Sequence, residues 1–302
     1  GSLVMTRRFT FRTLDVFTDE RFRGNPLAVV LDAAELRSAE MQAIAGEFNL
    51  SETVFVTDID AAAGRADVRI FTPKAELPFA GHPTIGTALL LAREGLGLAQ
   101  EAGRHLVLAE GAGDVPVAIE LADGHPVRAR FTAPGEPSIS EPVDAAPVAA
   151  ALGLDASDLA GIAPRSAGFG VMFLVVELAS LEALARAALM LPLAALRDAG
   201  LENGVYLFTR ATLDGTVRAR MFAPLHGIAE DPATGSAAAA LAALLAGVDP
   251  APTLDGSWRI VQGVEMGRRS VIDITATKRD GAINAVTVAG GAVSVSEGWI
   301  EV

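Results

Sequence analysis

One short pattern occurs twice in the chain and constrains its fold more than any other feature. The first copy runs Arg69-Ile-Phe-Thr-Pro73, a turn-rich gap, then Gly81-His82-Pro83-Thr84-Ile85-Gly86-Thr87-Ala88 and an apolar run. The second runs Arg220-Met-Phe-Ala-Pro224, a gap, then Glu230-Asp231-Pro232-Ala233-Thr234-Gly235-Ser236-Ala237 and another apolar run. Each copy reads as a strand ending in proline, a tight turn, and Pro-x-x-Gly-[Thr/Ser]-Ala opening a helix. The copies stand about half a chain apart, which points to a duplicated unit. The alternative is coincidence, because glycine, proline and small residues commonly sit between a strand and a helix.

The chemical interest of such a pattern lies in the helix starts. Backbone N–H groups of a first helical turn lack internal partners, and the dipole there is positive. Glycine lets a ligand approach the backbone closely. Two facing starts would supply donors from both sides to a carboxylate or a developing enolate.

Cysteine is absent, which removes disulfides, thiolate nucleophiles and thiol acid/base pairs together. The four histidines, His82, His105, His125 and His226, show no metal-ligand spacing, so no metal site is expected. Lys74 and Lys278 are the only lysines, leaving few candidates for a Schiff base. The net charge of -13 argues against a nucleic-acid partner. The 302 residues suffice for two domains, and an apolar fraction of 51% allows a large core. No uninterrupted apolar run reaches the ~18 residues of a membrane span, and Ala237–Val248 reads as a buried helix. Gly1–Val4 reads as a cloning scar ahead of a native Met5, no signal peptide is read, and the expected compartment is the cytoplasm.

Taken in order, Phe9–Phe17 and Leu27–Leu31 read as strands around a turn at Arg23-Gly24-Asn25-Pro26. Apolar spacing at Met41, Ile44, Ala45 and Phe48 predicts a helix over Ser38–Phe48, ended by Asn49. Val54–Val56 and Asp67–Phe71 read as strands and Gly86–Arg93 as a helix. Leu106–Leu108 and Val115–Leu121 read as a hairpin, followed by a strand at Val127–Phe131. Ala133–Pro147 reads as a linker, which places the domain boundary close before it or within it. Beyond it, helices are expected at Val148–Leu152, Leu181–Leu184 and Gly235–Ala246. Strands are expected at Val171–Leu178, Gly204–Thr209, Val217–Phe222, Trp258–Gln262, Ser270–Ala276, Ala285–Val288 and Ala292–Val295. Each half is a sheet wrapping an apolar helix, an α+β pattern. The expected domains are 1–128, completed by a C-terminal strand at 290–302, and 129–289. A GxGxxG fingerprint is missing, so a dinucleotide fold is not expected.

Glu52 follows a helix end among Leu50, Val54, Phe55 and Val56. Pointing inward, it would be desolvated, its pKa raised, and it would serve as a base near neutrality. Otherwise it is an exposed loop carboxylate. His82, held between Gly81 and Pro83, reads either as a donor or proton relay or as a turn-stabilising histidine. Asp231 holds a matching place in the second copy and reads on its own as an N-cap before Pro232. Thr87 and Ser236 read as caps, substrate donors, or both. Asp15, Asn25 and Glu230 carry weaker signals, and Gln262 with Glu265 and Arg268 reads as a turn with an ion pair.

Five blocks of this chain resemble the PhzF family, the phenazine-biosynthesis isomerases and their relatives. They are Arg23-Gly24-Asn25-Pro26-Leu-Ala-Val-Val; Met41-Gln-x-Ile-Ala-x-Glu-Phe-Asn49-Leu-Ser-Glu52-Thr; Arg69-Ile-Phe-Thr-Pro-x-x-Glu76-Leu-Pro-Phe-Ala-Gly81-His82-Pro; Glu230-Asp231-Pro-Ala-Thr-Gly-Ser236-Ala; and Gln262-Gly-Val-Glu-Met-Gly-Arg268. The resemblance covers essentially the whole chain. It implies a diaminopimelate epimerase-like fold of two pseudo-symmetric domains, each a curled, mostly antiparallel sheet around a central helix, with the site in the cleft between them. It also implies a homodimer without metal or organic cofactor. Epimerases and racemases of this fold use a cysteine pair, which this chain lacks. In the phenazine enzyme the corresponding glutamate moves a proton on trans-2,3-dihydro-3-hydroxyanthranilate. By resemblance Glu52 is the acid/base, with His82 and Asp231 assisting. Gly81, Thr234, Gly235 and Ser236 would bind the substrate's polar groups. Arg269 departs from the pattern, standing where phenazine enzymes tend to carry proline. A lyase or hydratase using the same glutamate, and a non-catalytic metabolite-binding protein, are the competing functions.

Overall fold

The structure is a computed structural model that describes residues 6–95, 105–190 and 203–302; the stretch Gly1–Val4 lies outside them. The chain divides into two compact units, Gly1–Phe131 with Ala289–Val302, and Thr132–Val288.

The first unit holds β1 (Arg8–Val16), β2 (Asn25–Val30), α1 (Ser38–Phe48), β3 (Thr53–Asp60), β4 (Arg65–Phe71), β5 (Glu76–Leu77), α2 (Gly81–Arg93), β6 (His105–Glu110), β7 (Gly113–Ala122) and β8 (His125–Thr132). The last strand of the chain, β18 (Ala292–Glu301), returns to pair antiparallel with β1. In pairing order, β1–β2 is antiparallel, β2–β3 parallel, β3–β4 antiparallel, β4–β6 parallel and β6–β7 antiparallel, with the short β5 beside β4.

The second unit holds β9 (Ser138–Ile139), α3 (Ala145–Ala151), β10 (Arg165–Phe169), β11 (Val171–Glu177), α4 (Leu181–Arg186), β12 (Val205–Thr209), β13 (Val217–Ala223), β14 (Ile228–Asp231), α5 (Gly235–Val248), β15 (Leu254–Gln262), β16 (Ser270–Arg279) and β17 (Ala282–Gly290). Its pairings repeat those of the first. β10–β11 is antiparallel, β11–β12 parallel, β12–β13 antiparallel, β13–β15 parallel and β15–β16 antiparallel, with the short β14 beside β13. This shared order establishes the duplication that the two sequence copies suggest.

Each unit is built around one helix. Every residue of α2 from Gly81 to Ala92 is buried, as are most of those in α5. A helix apolar on all sides must be covered all round, and a curled sheet does this. The fit is close at Gly86, where a Cβ would stand 2.6 Å from Leu27 Cδ2 and 2.7 Å from Val16 Cγ2. On the opposite face of the first sheet, Met41, Ile44 and Ala45 of α1 pack with Phe9, Val30, Phe55 and Phe71. The helix stops where expected: Asn49 takes the left-handed conformation (φ 52°) and its N–H donates to the Ala45 carbonyl.

The matched arginines of the two copies are used alike. Arg69 makes a two-pronged ion pair with Glu76 and lies over the Phe71 ring. Arg220 does the same with Glu230 and Phe222, and also donates to the carbonyls of Leu184 and Ala187. Each pair fastens the strand to the turn that leads into the central helix.

The two helix starts differ. The first helix opens at Gly81, five residues before the expected Gly86, with Ala80 as its N-cap. Pro83 is accommodated because N–H groups of a first turn have no helical acceptor. The second opens at Gly235, because Glu230 and Asp231 are taken up by β14, where Asp231 pairs with Met221. Asp231, Thr87 and Ser236 are therefore not caps: the N-caps are Ala80 and Thr234, and neither start has a side-chain cap bond. The strands β10 and β14 and the two-residue β9, inside the expected linker, were not legible as separate elements. They are two to five residues long, too short for a strand period to show. No described helix is long and apolar enough to cross a membrane.

Candidate active site

Glu52 is delivered by the turn between α1 and β3. The left-handed Asn49 reverses the chain, and Ser51 then donates to Asn25 Oδ1 at 3.3 Å. Asn25 is itself buried at the start of β2. The preceding turn is pinned by Asp15, whose Oδ2 accepts from Phe22 N–H at 2.6 Å, and by Gly24. Gly24 sits at φ 63°, where a Cβ would strike the Val16 carbonyl. The polar residues Asp15 and Asn25 thus shape the support beneath Glu52.

Strand alternation directs the Glu52 side chain. Val54 is the partner of Val29, which shares a face of β2 with Leu27, the residue packed on α2. Glu52, two residues before Val54, points to that same face. Its side chain is 14% exposed, and His82 Nδ1 stands 3.4 Å from its Oε2. Glu52 Oε2 is buried and makes no hydrogen bond among the described residues. Burial pushes the carboxyl up to about 7, against a smaller opposing effect of Ser51. Of the two sequence readings of Glu52, the inward one is the structure's.

His82 is the second residue of α2 and its side chain is 4% exposed. Gly81 is the first residue of the same turn. The positive end of the helix therefore lies beside the Glu52 carboxyl. Another carboxylate approaches this helix. Glu110, at the end of β6, lies 2.6 Å from Thr84 Oγ1, whose single proton is shared between the Glu110 carboxyl and the Ala80 carbonyl 2.8 Å away. Burial raises Glu110 to about 8. Glu110 belongs to no motif and was missed in the sequence, although alternation in His105–Glu110 places it on the buried face with Leu106 and Leu108.

The remaining candidates lie in the second unit. Asp231, at the end of β14, is buried, and its Oδ2 accepts from Thr234 Oγ1 at 2.5 Å. Gly235 and Ser236 are the first two residues of α5. Gln262, read from sequence as part of a turn, is fully buried and bonds to this group. Its Nε2 donates to the Asp231 carbonyl at 2.8 Å and to Thr234 Oγ1 at 3.2 Å. Its Oε1 accepts from Tyr206 Oη at 3.1 Å. Glu265 pairs with Arg218 at 3.0 Å. A glutamine closing an apolar strand just before a glycine is the signal that points to Gln262. Tyr206 has no signal in the sequence beyond being the only tyrosine.

The structure thus brings Glu52 and His82 together at one helix start, and Asp231, Thr234, Gly235 and Ser236 together at the other. Among the described residues no group of three or more His, Cys, Asp or Glu side chains could hold a metal ion.

Known proteins resemble this chain in sequence and in architecture. The family model of phenazine biosynthesis-like proteins matches residues 14–298. An isomerase of uncharacterised function from Mesorhizobium japonicum is 40% identical over 306 residues, covering 94% of this chain and 96% of the relative. The trans-2,3-dihydro-3-hydroxyanthranilate isomerase of Pseudomonas aeruginosa is 38% identical over 285 residues, with the same coverage. A phenazine biosynthesis protein of the PhzF family from Bacillus anthracis superposes with a TM-score of 0.84 at 25% identity, over 97% of this chain and 99% of that one. A hydroxyproline epimerase from Agrobacterium vitis shares the fold at a TM-score of 0.65 and 14% identity, over 98% of this chain and 91% of that one. The architecture is therefore the α+β, epimerase-like fold. The match over nearly the whole chain and the identity to these relatives place the protein in the phenazine biosynthesis-like (PhzF) family of isomerases.

Proposed function

We propose that this isomerase moves a proton within a small, unsaturated carboxylated substrate, with Glu52 as both base and acid. The observation that carries the reading is Glu52 itself, a carboxyl raised to about 7 by burial beside His82 at the start of α2. A carboxylic acid titrating near neutrality can take a proton and give it back under the same conditions.

In this reading the Glu52 carboxylate removes a proton from carbon. The electron pair passes into the adjoining unsaturated system, and the resulting acid returns the proton to a different carbon. Mass is unchanged and no co-reactant is consumed. His82 holds the substrate oxygen where charge gathers. The first-turn N–H groups of α2, starting at Gly81, stabilise that charge as it develops. Asp231 assists proton movement, while Thr234, Gly235 and Ser236 take the polar groups of the substrate. The P. aeruginosa relative suggests trans-2,3-dihydro-3-hydroxyanthranilate, or an analogue, as substrate. A homodimer acting in the cytoplasm without a cofactor completes the proposal.

The test is turnover of that compound in D₂O, followed by NMR, with wild type and Glu52→Gln side by side. Conversion to an isomeric product that has lost no atom other than protons exchanged for deuterium, and that depends on Glu52, is expected. Full activity in a folded Glu52→Gln protein overturns the role of Glu52. A product lighter by one water favours the lyase. No conversion by wild type rejects this substrate.

A further inference from the structure

Gln262 meets Asp231 through a set of hydrogen bonds whose directions are fixed. The Asp231 carbonyl can only accept, so the amide group 2.8 Å from it is Nε2. The opposite end, Oε1, accepts from Tyr206 Oη and from the Thr234 N–H. Burial, together with the nearby Asp231, pushes the Tyr206 hydroxyl up, so it remains a donor. The second Nε2 proton goes to Thr234 Oγ1 at 3.2 Å. Having accepted there, the Thr234 hydroxyl directs its one proton to Asp231 Oδ2, at 2.5 Å.

We propose that Gln262 is a positioning residue that sets the Asp231 carboxylate for the reaction, acting through the Thr234 hydroxyl. The amide fixes Asp231 twice, through the main-chain carbonyl directly and through the carboxylate by way of Thr234. Neither Gln262 nor Tyr206 need touch the substrate. A second feature ties β15 to the same turn. Gly263 sits at φ 79°, and a Cβ there would stand 2.6 Å from the Pro232 carbonyl oxygen and 2.4 Å from that of Arg268. Only glycine lets the end of β15 seat against Pro232 and so carry the Gln262 amide up to Asp231. The buried amide is satisfied at both ends, which makes a well-defined support for one carboxylate orientation. The inference rests on the proposed role of Asp231.

The experiment compares wild type with Gln262→Leu, Thr234→Val and Thr234→Ser, each read in two ways. One is kcat and KM on trans-2,3-dihydro-3-hydroxyanthranilate. The other is the ¹³Cγ signal of Asp231, assigned with Asp231→Asn. Misplacing a catalytic group by about 1 Å can cost about 10²-fold, so Gln262→Leu and Thr234→Val are expected to lose about 10- to 100-fold in kcat, with KM changed far less in Gln262→Leu and raised as well in Thr234→Val, because Thr234 also takes polar groups of the substrate. Both should shift the Asp231 signal. Thr234→Ser, which restores a hydroxyl, should regain most of what Thr234→Val loses in both readouts. Where Gln262→Leu fails to fold, Thr234→Val leaves the buried amide in place and decides the matter. An Asp231 signal unmoved by either variant, or wild-type kcat in either, overturns the proposal. A wild type that is silent on this compound while the Asp231 signal shifts as expected rejects the substrate alone.

Discussion

His82 Nδ1 lies 3.4 Å from Glu52 Oε2, and the two side chains reach that point from different elements, one from the first turn of α2 and one from the turn after α1. Burial holds the Glu52 carboxyl up to about 7, and the imidazole stands beside it at the positive end of the helix, the arrangement on which the proposed proton transfer rests.

Replacing Glu52 with glutamine should lower kcat by about 10²–10⁴-fold, the usual worth of a positioned acid/base group. The far-ultraviolet circular dichroism spectrum should be unchanged. In the wild type, kcat/KM should rise with pH through about 7, because the base must be deprotonated and burial has raised its pKa to that value. A profile flat from pH 5 to 9 would count against Glu52 as the base.

The same substitution should stabilise the fold at alkaline pH. The pKa of Glu52 is about 7 in the folded protein and about 4.5 when exposed, so its ionisation opposes folding. Stability is whole below pH 4.5 and falls as pH rises through 7. Each tenfold difference in proton affinity between the folded and unfolded chain is worth about 1.4 kcal/mol. Glu52→Gln should thus gain up to about 3 kcal/mol at pH 8 and almost nothing at pH 4. Thermal melts of both proteins at the two pH values check this.

Glu110→Gln should act in the same direction with a higher window. The folded pKa is about 8, so the wild type should lose more stability between pH 4.5 and 8 than the variant, in which only the contribution of Glu52 remains. Glutamine can still accept from Thr84, so the contact that holds the start of α2 is kept. A melting temperature that falls equally with pH in the two proteins refutes the assignment.

The two matched arginine pairs should differ in worth. Arg69 and Glu76 are partly exposed, and Arg69→Met should cost about 1 kcal/mol or less. Arg220 is buried and also holds the Leu184 and Ala187 carbonyls, so Arg220→Met leaves Glu230 and those carbonyls without their partner. It should cost about 3–5 kcal/mol. Urea unfolding of the two variants gives the comparison directly.

Gly86→Ala probes the wrap of the first sheet around α2. The added methyl would meet Leu27 and Val16 side chains inside 3 Å, and the overpacking should cost about 1–3 kcal/mol. An increase in melting temperature, as expected for a helix interior with room for a methyl, would show that the sheet can give way.

The sequence by itself determined the architecture. Two copies of one strand–turn–helix pattern, two helices apolar on every side, and strands of alternating pattern specify two sheets each wrapped on a helix, because apolar periodicity is local information. The end of α1 at Asn49 was legible for the same reason. The start of the second central helix at Gly235 was legible too, whereas tertiary structure decided the start of the first, at Gly81 rather than Gly86, the pairing of Asp231 in β14 with β13, and the surroundings of the polar groups. Whether Glu52 faced solvent or the interior rested on which face of β3 met α2, and that is settled by packing of residues far apart in the chain. The partners of Gln262 come from three separate elements, Tyr206 on β12, Asp231 on β14 and Thr234 before α5. Hydrogen bonds across such separations leave no periodic trace in sequence, so only the folded chain reveals them.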